Sequence, residues 1–508
     1  MKGKVFDMEE KVKVKKQPRA PKVWEVLIPI VFMMVLIIVC TVSWGVEPHI
    51  PILLSCMVAA VVAARCGFGW EAIVAGLLDS IGRAMEAMLI VMCVGALIGT
   101  WVLSGSMPAM VYYGLQILTP STFFFFGVLL IGIVGFVSGS SWTASGTIGV
   151  AFMGIGAGLG LNPALCAGMV ISGAYMGDKW SPLSDSTNLA AATAETPLFK
   201  HVRAMISTTL PSFILAMIIY GVIGLTVDKS GYDASNVENI LQALNNTFDI
   251  NVFLLLPLLV ILLGAWKQWP ALPTLLGASL VAGAIAIIAQ GATVPEVLNA
   301  MHYGFSAETG NETVDNLVNR GGVDSMMWTI SLIMFALAFG GILEKCGFIE
   351  ALLGKLITKV KSIGGLVALT CLTGIACDFI LTDQYISILI PGRMYAKYFD
   401  QKGLARNFLS RTLEDGATLW SPMCPWNGCG AYQAATLGVP TWQYFPYAFM
   451  NLINPIMAIL FSYIGVSIMF KDEEQNAKGI WGINRKANQI ARENTEKWFA
   501  EHPEDKRS

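Results

Sequence analysis

Long apolar runs separated by short polar stretches dominate this chain. Uncharged runs cover residues 26–44, 205–227, 252–265 and 450–470, and residues 87–177 contain no charged side chain at all. A helix needs roughly 20 apolar residues to cross a bilayer core, and these runs reach that length alone or with their flanks. The pattern predicts an all-α membrane protein that crosses the bilayer many times, with about 10 to 12 spans.

The composition supports a membrane protein rather than a large soluble core. Hydrophobic residues make up 55% of the chain and charged residues 13%, with a mean hydropathy of +0.61, against about 25% charged residues in typical soluble proteins. The lipid bilayer is therefore the expected partner. The net charge of −2 gives no reason to expect a nucleic-acid partner.

Enzyme chemistry finds little support in the sequence. The four histidines are scattered, and the ten cysteines lie mostly in apolar segments without the CxxC spacing of zinc or redox pairs. The central segments contain neither a histidine nor a GxSxG motif for a nucleophile and its base. We expect no enzymatic activity and no organic cofactor.

The chain contains an internal repeat. Residues 51–54 (PILL) recur as 273–276 (PTLL), an offset of 222 residues; from Leu103 onward the offset is 240, linking Leu103 to Leu343, Gly114 to Gly354, and the triplet that begins at Trp180 to the one at Trp420. One constant offset linking distant positions is the signature of a duplication. We therefore expect two repeats, 23–227 and 250–470, joined by an acidic linker at 228–249.

The distribution of basic residues indicates that the two repeats have opposite orientations. Residues 104–121 carry no charge, whereas the equivalent residues 344–361 carry four lysines; residues 151–171 and 391–411 differ in the same way. Short cytoplasmic loops are enriched in Lys and Arg. The repeats are therefore predicted to be inverted, with the linker outside the cell.

Both chain ends are then expected in the cytoplasm of a multi-pass cell-membrane protein. The N-terminal arm, residues 1–22, carries eight basic residues against three acidic ones. The tail, residues 471–508, has eight of each and is expected to be a small soluble appendage.

Each repeat also contains segments unsuited to an ordinary lipid-facing helix. Residues 135–160 are dense in glycine and hydroxyls and predict a re-entrant hairpin, with its counterpart at 374–391. Residues 177–195 and 414–430 combine charge, hydroxyls and proline, and are expected to be unwound. Inverted repeats with broken helices are typical of secondary transporters, which bind substrate between the halves.

These segments supply oxygen ligands for a small hard cation such as sodium. The candidate ligands are Ser184, Asp185, Thr187, Asn188, Thr382, Asp383 and Asn427. A carboxylate at depth in a membrane is costly and is expected to be functional, although Ser184 or Asp185 could simply cap a helix. The candidate proton-coupling carboxylates are Asp185, Asp383, Glu414 and Asp415, because a desolvated carboxylate binds a proton more readily once sodium leaves.

The segments GDKWSPLSDSTNLAAATAE (177–195), TDQYISILIPGRMY (382–395) and EDGATLWSPMCPWNGCGAYQAATLGV (414–439) resemble the signature segments of the NhaC family of sodium/proton antiporters. The resemblance spans residues 24–470. It implies a homodimer whose protomers each have a scaffold part and a transport part, with sodium near the tips of two helical hairpins. It also implies alternating access, with an elevator movement as the suspected form.

Two transport functions fit the sequence. One is Na⁺/H⁺ exchange, and the other is sodium-coupled transport of a small amino acid or organic acid, as in malate/lactate carriers. The central segments are more aromatic than ion exchange requires, which favours an organic substrate, although such rings also serve packing or interfacial belts. The candidate substrate-binding residues are Trp142, Thr143, Trp180, Ser181, Met423 and Trp426. A channel is a remote alternative.

Overall fold

A computed structural model of the chain describes residues 18–226, 234–267, 269–353 and 360–503. The regular structure of the described residues consists of helices and no strands, and these residues contain three isolated β-bridges in addition. Most of the predicted N-terminal arm and residues 228–233 of the predicted linker lie outside the described residues, as do Lys355 and Lys359.

Helices of the first half begin near the predicted arm and end before the predicted linker. They are α1 (Val23–Ile38), α2 (His49–Arg65), α3 (Trp70–Arg83), α4 (Met85–Leu103), α5 (Ser106–Ile117), α6 (Pro120–Ser138), α7 (Ser141–Ala144), α8 (Val150–Gly158), α9 (Pro163–Trp180), α10 (Asp185–Thr193) and α11 (Leu198–Thr226). A π-helical turn, Ser145–Gly149, joins α7 to α8.

Helices of the second half follow in a similar order. They are α12 (Ala234–Thr247), α13 (Leu256–Trp266), α14 (Ala271–Ala289), α15 (Val294–Tyr303), α16 (Glu312–Val318), α17 (Val323–Lys345), α18 (Phe348–Leu353), α19 (Ile363–Leu381), α20 (Gln384–Gln401), α21 (Arg406–Leu413), α22 (Gly428–Leu437), α23 (Thr441–Tyr444), α24 (Phe449–Ile464) and α25 (Ala487–Glu501). A second π-helical turn, Glu414–Thr418, follows α21.

Six of the described helices are long and apolar enough to cross a membrane, and two bent helix pairs raise that number to eight. By length and composition the described residues therefore contain six to eight candidate spans, compared with the 10 to 12 spans expected. The difference has a physical reason: α1 and α2 are apolar but have only 16 and 17 residues, and α9 carries Asp178 and Lys179 in its last turn.

Two helical hairpins occupy the predicted positions, but they are longer than predicted. The first joins α6 to α7 through Gly139 and Ser140, and the second joins α19 to α20 through Thr382 and Asp383. Gly139 and Thr382 both have left-handed backbones, with φ values of 64° and 63°. Glycine adopts this conformation without strain, whereas a β-branched threonine rarely does. The hairpin tips thus share a backbone geometry at positions 243 residues apart.

The two segments expected to be unwound are mostly helical, and this prediction is corrected. In 177–195, α9 continues to Trp180 and α10 begins at Asp185, so only residues 181–184 break the helix. The break follows from Pro182, which cannot donate a backbone hydrogen bond. In 414–430, helical turns continue to Met423, and only residues 424–427 are irregular before α22.

Helix α6 and helix α9 pack closely through glycines. A Cβ atom added to Gly177 would lie 2.1 Å from the carbonyl oxygen of Gly132 and 2.5 Å from the backbone nitrogen of Phe136. No side chain fits between the two backbones there. This contact fixes the end of α9, and with it the helix break at 181–184, against the first hairpin.

The C-terminal tail packs against both halves of the chain. Ala487 and Ala491 of α25 are buried with Phe399 and Phe408 in one apolar cluster. The indole nitrogen of Trp481 donates a hydrogen bond of 3.0 Å to the carbonyl oxygen of Ser207. The tail is therefore packed against the rest of the protein more closely than the predicted soluble appendage would be.

Candidate functional site

A cavity of about 270 Å³ lies where both hairpin tips meet both helix breaks. The tips contribute residues 139–142 and 382–385, and the breaks contribute residues 184–186 and 427–429. Helices α4 and α17 complete the wall through Ile90, Ile333 and Leu337. The cavity therefore forms between elements from both halves of the chain.

Four helix N-caps line this cavity. Ser140 caps α7 and Asp383 caps α20; the Oδ1 atom of Asp383 accepts a hydrogen bond of 2.8 Å from the backbone nitrogen of Ile386. Ser184 caps α10 and Asn427 caps α22, where Asn427 Oδ1 accepts from the backbone nitrogen of Cys429 at 3.0 Å. Helix N-termini carry partial positive charge, so the cavity collects four such termini as well as its side chains.

The charge of the cavity wall is predominantly negative. Four carboxylates line it, those of Glu86, Asp178, Asp185 and Asp383, against the single guanidinium of Arg83. Arg83 in turn forms a salt bridge of 2.5 Å with Glu344. Serine and threonine hydroxyls and the Asn427 and Gln384 amides supply further oxygen atoms, the ligand type preferred by hard cations.

The structure brings six of the sequence-predicted site residues to the cavity wall. They are Trp142, Ser184, Asp185, Thr382, Asp383 and Asn427. The remaining candidates are not among the lining residues: Thr143, Trp180, Ser181, Thr187, Asn188, Glu414, Asp415, Met423 and Trp426.

Several of these remaining side chains support the cavity from behind. The Asn188 amide nitrogen donates to the carbonyl oxygens of Pro182 and Ser184, at 3.0 and 2.8 Å. The Trp426 indole nitrogen donates to the carbonyl oxygen of Phe379 at 2.8 Å. The bonds to Pro182 and Phe379 satisfy carbonyl oxygens beside a helix break and a hairpin tip, which gives the two residues a positioning role. The Ser184 carbonyl oxygen also accepts from the Asn188 backbone nitrogen.

Asp178 lines the cavity, although the sequence analysis did not include it among the candidate ligands. It lies in the last turn of α9, is 5% exposed, and its Oδ1 atom has no hydrogen-bond partner among the described residues. Asp185, by contrast, is exposed at the cavity mouth. The available signal was that Asp178 is the first charged residue after the uncharged run 87–177.

Asp378 is a second buried carboxylate that the site prediction did not include. It lies on α19 and is fully buried, and the Asn427 amide nitrogen lies 3.2 Å from its carbonyl oxygen and 3.4 Å from its Oδ1 atom. Its Oδ2 atom has no hydrogen-bond partner among the described residues. Asp378 thus supports Asn427 directly behind the cavity wall.

Asp415 lies in a separate, fully buried charge cluster. Its carboxylate contacts the Lys179 ammonium, and the Arg411 Nε atom lies 3.6 Å from Oδ2. The Thr208 hydroxyl donates to it at 3.0 Å and the Asn454 amide at 2.7 Å. The cluster joins α9 of the first half to the π-helical turn of the second, so Lys179 pairs with Asp415 and not with Asp178.

One aromatic pair borders the cavity. Trp142 stacks on Tyr432, with ring centroids 4.3 Å apart and an interplanar angle of 6°. The Tyr432 hydroxyl donates to the carbonyl oxygen of Trp142 at 2.7 Å. The stack joins the first hairpin tip to α22 and offers an apolar face beside the polar wall.

Comparisons with known proteins agree with this architecture. Residues 173–466 match the model of the Na⁺/H⁺ antiporter family. The Na⁺/H⁺ antiporter NhaC of Alkalihalophilus pseudofirmus is 40% identical over 88% of this chain and 96% of its own length.

Two further relatives carry different names. The arginine/ornithine antiporter ArcD of Halobacterium salinarum is 35% identical over 90% of this chain and 95% of its own. The malate-2H⁺/Na⁺-lactate antiporter of Bacillus subtilis is 34% identical over 90% of this chain and 97% of its own. With matched segments that include the helix breaks and the second hairpin, the chain belongs to the Na⁺/H⁺ antiporter family, a family of multi-pass membrane transporters.

Proposed function

We propose that this protein exchanges Na⁺ for H⁺ across the cell membrane, with the cavity between its two halves as the shared binding site. The observation that carries the proposal is the wall of four carboxylates and many neutral oxygens against one guanidinium. Such a wall attracts a hard cation. Asp178 is buried and Asp383 is half-buried, and these two take up protons when the cation leaves, because burial disfavours an unpaired charge.

The proposed sodium ligands come from both hairpin tips and both helix breaks. They are Asp178, Ser184, Thr382, Asp383 and Asn427, each of which lines the cavity. Asp178 and Asp383 are the proposed proton carriers, with Asp185 at the mouth as a site of entry. Glu414 and Asp415 lie outside the lining residues and are assigned no part in direct exchange.

Transport by alternating access accords with a site between two repeats. We propose that the repeats are inverted, that the linker lies outside, and that both chain ends are cytoplasmic. The excess of basic residues in the loops of the second half supports this orientation. A homodimer and an elevator movement are proposed from the family resemblance.

Proteoliposomes test the exchange directly. An imposed sodium gradient is expected to move protons, measured with an internal pH dye, without any added organic solute. Asp178→Asn and Asp383→Asn are each expected to lower the initial rate at least about tenfold, since each removes a proposed proton carrier. Asp249→Asn is the matched control, because Asp249 is exposed and lies far along the chain from the cavity wall. Wild-type rates in the two cavity variants would contradict the proposal.

A second function, sodium-coupled transport of a small organic acid or amino acid, has one observation in its favour. The Trp142–Tyr432 stack places an aromatic ring beside the polar wall where four helix N-termini converge, and such termini favour a carboxylate. The names of two relatives include organic solutes. If protons move only after one amino acid or hydroxy acid is added, this second function replaces the first.

A further inference from the structure

A second cavity, of about 590 Å³, lies along the same helices as the first but at different positions on them. On α4 the first cavity reaches Ile90 and the second Ile98; on α22 the first includes Cys429 and the second Ala435. At a rise of about 1.5 Å per residue these positions are roughly 9 to 12 Å apart along each helix. On α17 the order along the chain is reversed: the second cavity reaches Thr329, and the first cavity reaches Ile333.

Buried side chains close the space between the two cavities. Val94, Ile330 and Tyr432 occupy the intervening positions on the three helices, and each is at most 3% exposed. A Cβ atom added to Gly146 would lie 2.5 Å from the Tyr432 hydroxyl and 2.9 Å from Val94 Cγ1, so this layer is tightly packed. The second cavity is therefore separate from the cation site.

The second cavity has the opposite charge from the first. Its lining contains the guanidinium of Arg320 and no carboxylate. The Arg320 side chain makes one long hydrogen bond among the described residues, 3.4 Å from Nη2 to the carbonyl oxygen of Thr436, and none of the ion pairs found there includes it. A half-buried guanidinium retains its charge and is stabilised by a bound anion.

Other polar groups, all of them uncharged, line the same cavity as this guanidinium. Thr329 is fully buried, and its hydroxyl has no hydrogen-bond partner among the described residues. Ser306 and Asn319 supply further polar groups, whereas the Ser325 hydroxyl already donates to the carbonyl oxygen of Gly322 at 2.8 Å; the rest of the wall includes aromatic rings such as Trp328. One cation, several neutral donors and aromatic walls form the combination of groups typical of sites for small organic ligands.

We propose that the second cavity binds a small organic carboxylate, with Arg320 as its charged partner and Thr329 as a hydrogen-bond donor. Guanidinium matches a carboxylate in charge and fork geometry. A sodium ion is repelled by Arg320, so this site differs from the cation cavity in the class of its ligand. The proposal concerns binding alone and does not depend on whether the transported species are Na⁺ and H⁺.

The test is a binding measurement on the full-length protein in detergent, without sodium. A panel of acetate, lactate, malate, glutamate and arginine is titrated, and dissociation constants are measured by calorimetry or thermal stabilisation. At least one carboxylate is expected to bind, and Arg320→Gln is expected to weaken it at least about tenfold, because a charge-assisted hydrogen bond is lost. Arg320→Lys should bind with intermediate affinity, and Arg65→Gln, which removes an exposed arginine, should bind like the wild type.

A second variant tests whether weaker carboxylate binding could result from loss of folding. Thr329→Val removes a buried hydroxyl that has no partner, so the melting temperature should stay the same or rise, while carboxylate affinity falls. Affinity unchanged in both Arg320→Gln and Thr329→Val would overturn the proposal. Failure of every free carboxylate to bind, with Arg320-dependent stabilisation by anionic phospholipid instead, would overturn it in favour of a lipid headgroup.

Discussion

At the residue scale, the buried charge cluster around Asp415 gives a sharp stability prediction. Asp415→Asn leaves Lys179 and Arg411 without their common counter-charge in a fully buried site. Removing one partner of a buried ion pair costs about 3–5 kcal/mol, because an uncompensated charge stays behind. We expect a loss of this size in the free energy of unfolding, measured by denaturant titration in mild detergent.

Asp400→Asn is the matched control for that measurement. Asp400 also pairs with two basic residues, Arg406 and Lys471, each at 2.7 Å, but it is 13% exposed and the Lys471 side chain is half exposed. Ion pairs that are open to water contribute about 0–1 kcal/mol. Equal losses of unfolding free energy in the two variants would mean that burial does not determine how much the Asp415 cluster contributes to stability.

A second residue-scale prediction concerns competition between sodium and protons. A protonated carboxylate cannot bind sodium, so the apparent dissociation constant for sodium should rise as the pH falls, by up to about tenfold per pH unit for one displaced proton. Asp178→Asn should flatten this dependence more than Asp185→Asn, because Asp178 is buried and Asp185 is exposed. Sodium-dependent thermal stabilisation between pH 6 and 8 provides the measurement. A dependence that is equally steep in Asp178→Asn would exclude that carboxylate as the shared group.

Part of the site could be predicted from residue types alone, and part could not. Asp383 and Asn427 were identifiable because carboxylates and amides are rare beside glycine and proline in an apolar chain. Asn188 gives the same signal, and Trp426 was a candidate as an aromatic ring, yet both side chains bond to backbone carbonyls. Spacing places a residue near a helix break, but the direction of its side chain depends on the packing of other helices.

At the element scale, the glycine contact between α6 and α9 determines the position of the first helix break. Gly177→Ala places a Cβ atom 2.1 Å from the Gly132 carbonyl oxygen, and backbone atoms cannot move aside like a flexible side chain. Overpacking of this kind costs about 1–3 kcal/mol. We expect a lower melting temperature in detergent and weaker sodium binding, because α9 carries Asp178.

Gly277→Ala serves as the control for this contact. Gly277 lies within α14, and an added Cβ atom would meet no other atom within 4 Å. Alanine is favoured over glycine in a helix interior by about 0.5–1 kcal/mol, so this variant should be slightly more stable. Destabilisation of both variants to the same degree would contradict the packing argument.

Element boundaries show where sequence patterns lose precision. The hairpins were detectable from glycine and hydroxyl density, but their helices extend to 120–158 and 363–401, beyond the predicted limits. The predicted unwound segments reduce to a few residues each, because a helix can carry polar residues when its neighbours satisfy them. Lys179 remains helical because Asp415, 236 positions later, neutralises it, and no local pattern reveals such a partner.

At the scale of the whole molecule, two cavities of opposite charge lie at different positions along α4, α17 and α22. The first is acidic and lies between the hairpin tips, and the second contains Arg320. Val94, Ile330 and Tyr432 are buried at positions between the two cavities, so alternating access to the cation site requires the first cavity to change its exposure and does not use the second as its other opening. In the proposed orientation the basic loop that begins at Glu344 is cytoplasmic. Glu344 pairs with Arg83 in the wall of the first cavity, so the first cavity is nearer the cytoplasm and the second is nearer the outside.

That orientation can be tested by labelling single cysteines. Asp249→Cys lies in the proposed extracellular linker and Lys478→Cys in the proposed cytoplasmic tail, and both positions are exposed. Nine of the ten native cysteines are buried and Cys93 is partly buried, so a Cys93→Ala background should give little labelling of its own. A membrane-impermeant maleimide should modify Asp249→Cys in intact cells, and Lys478→Cys only after the membrane is permeabilised. The reverse labelling pattern would mean that the protein has the opposite orientation in the membrane, because every loop assignment follows from the same excess of Lys and Arg. The second cavity would then face the cytoplasm, and any carboxylate bound there would come from the cell interior.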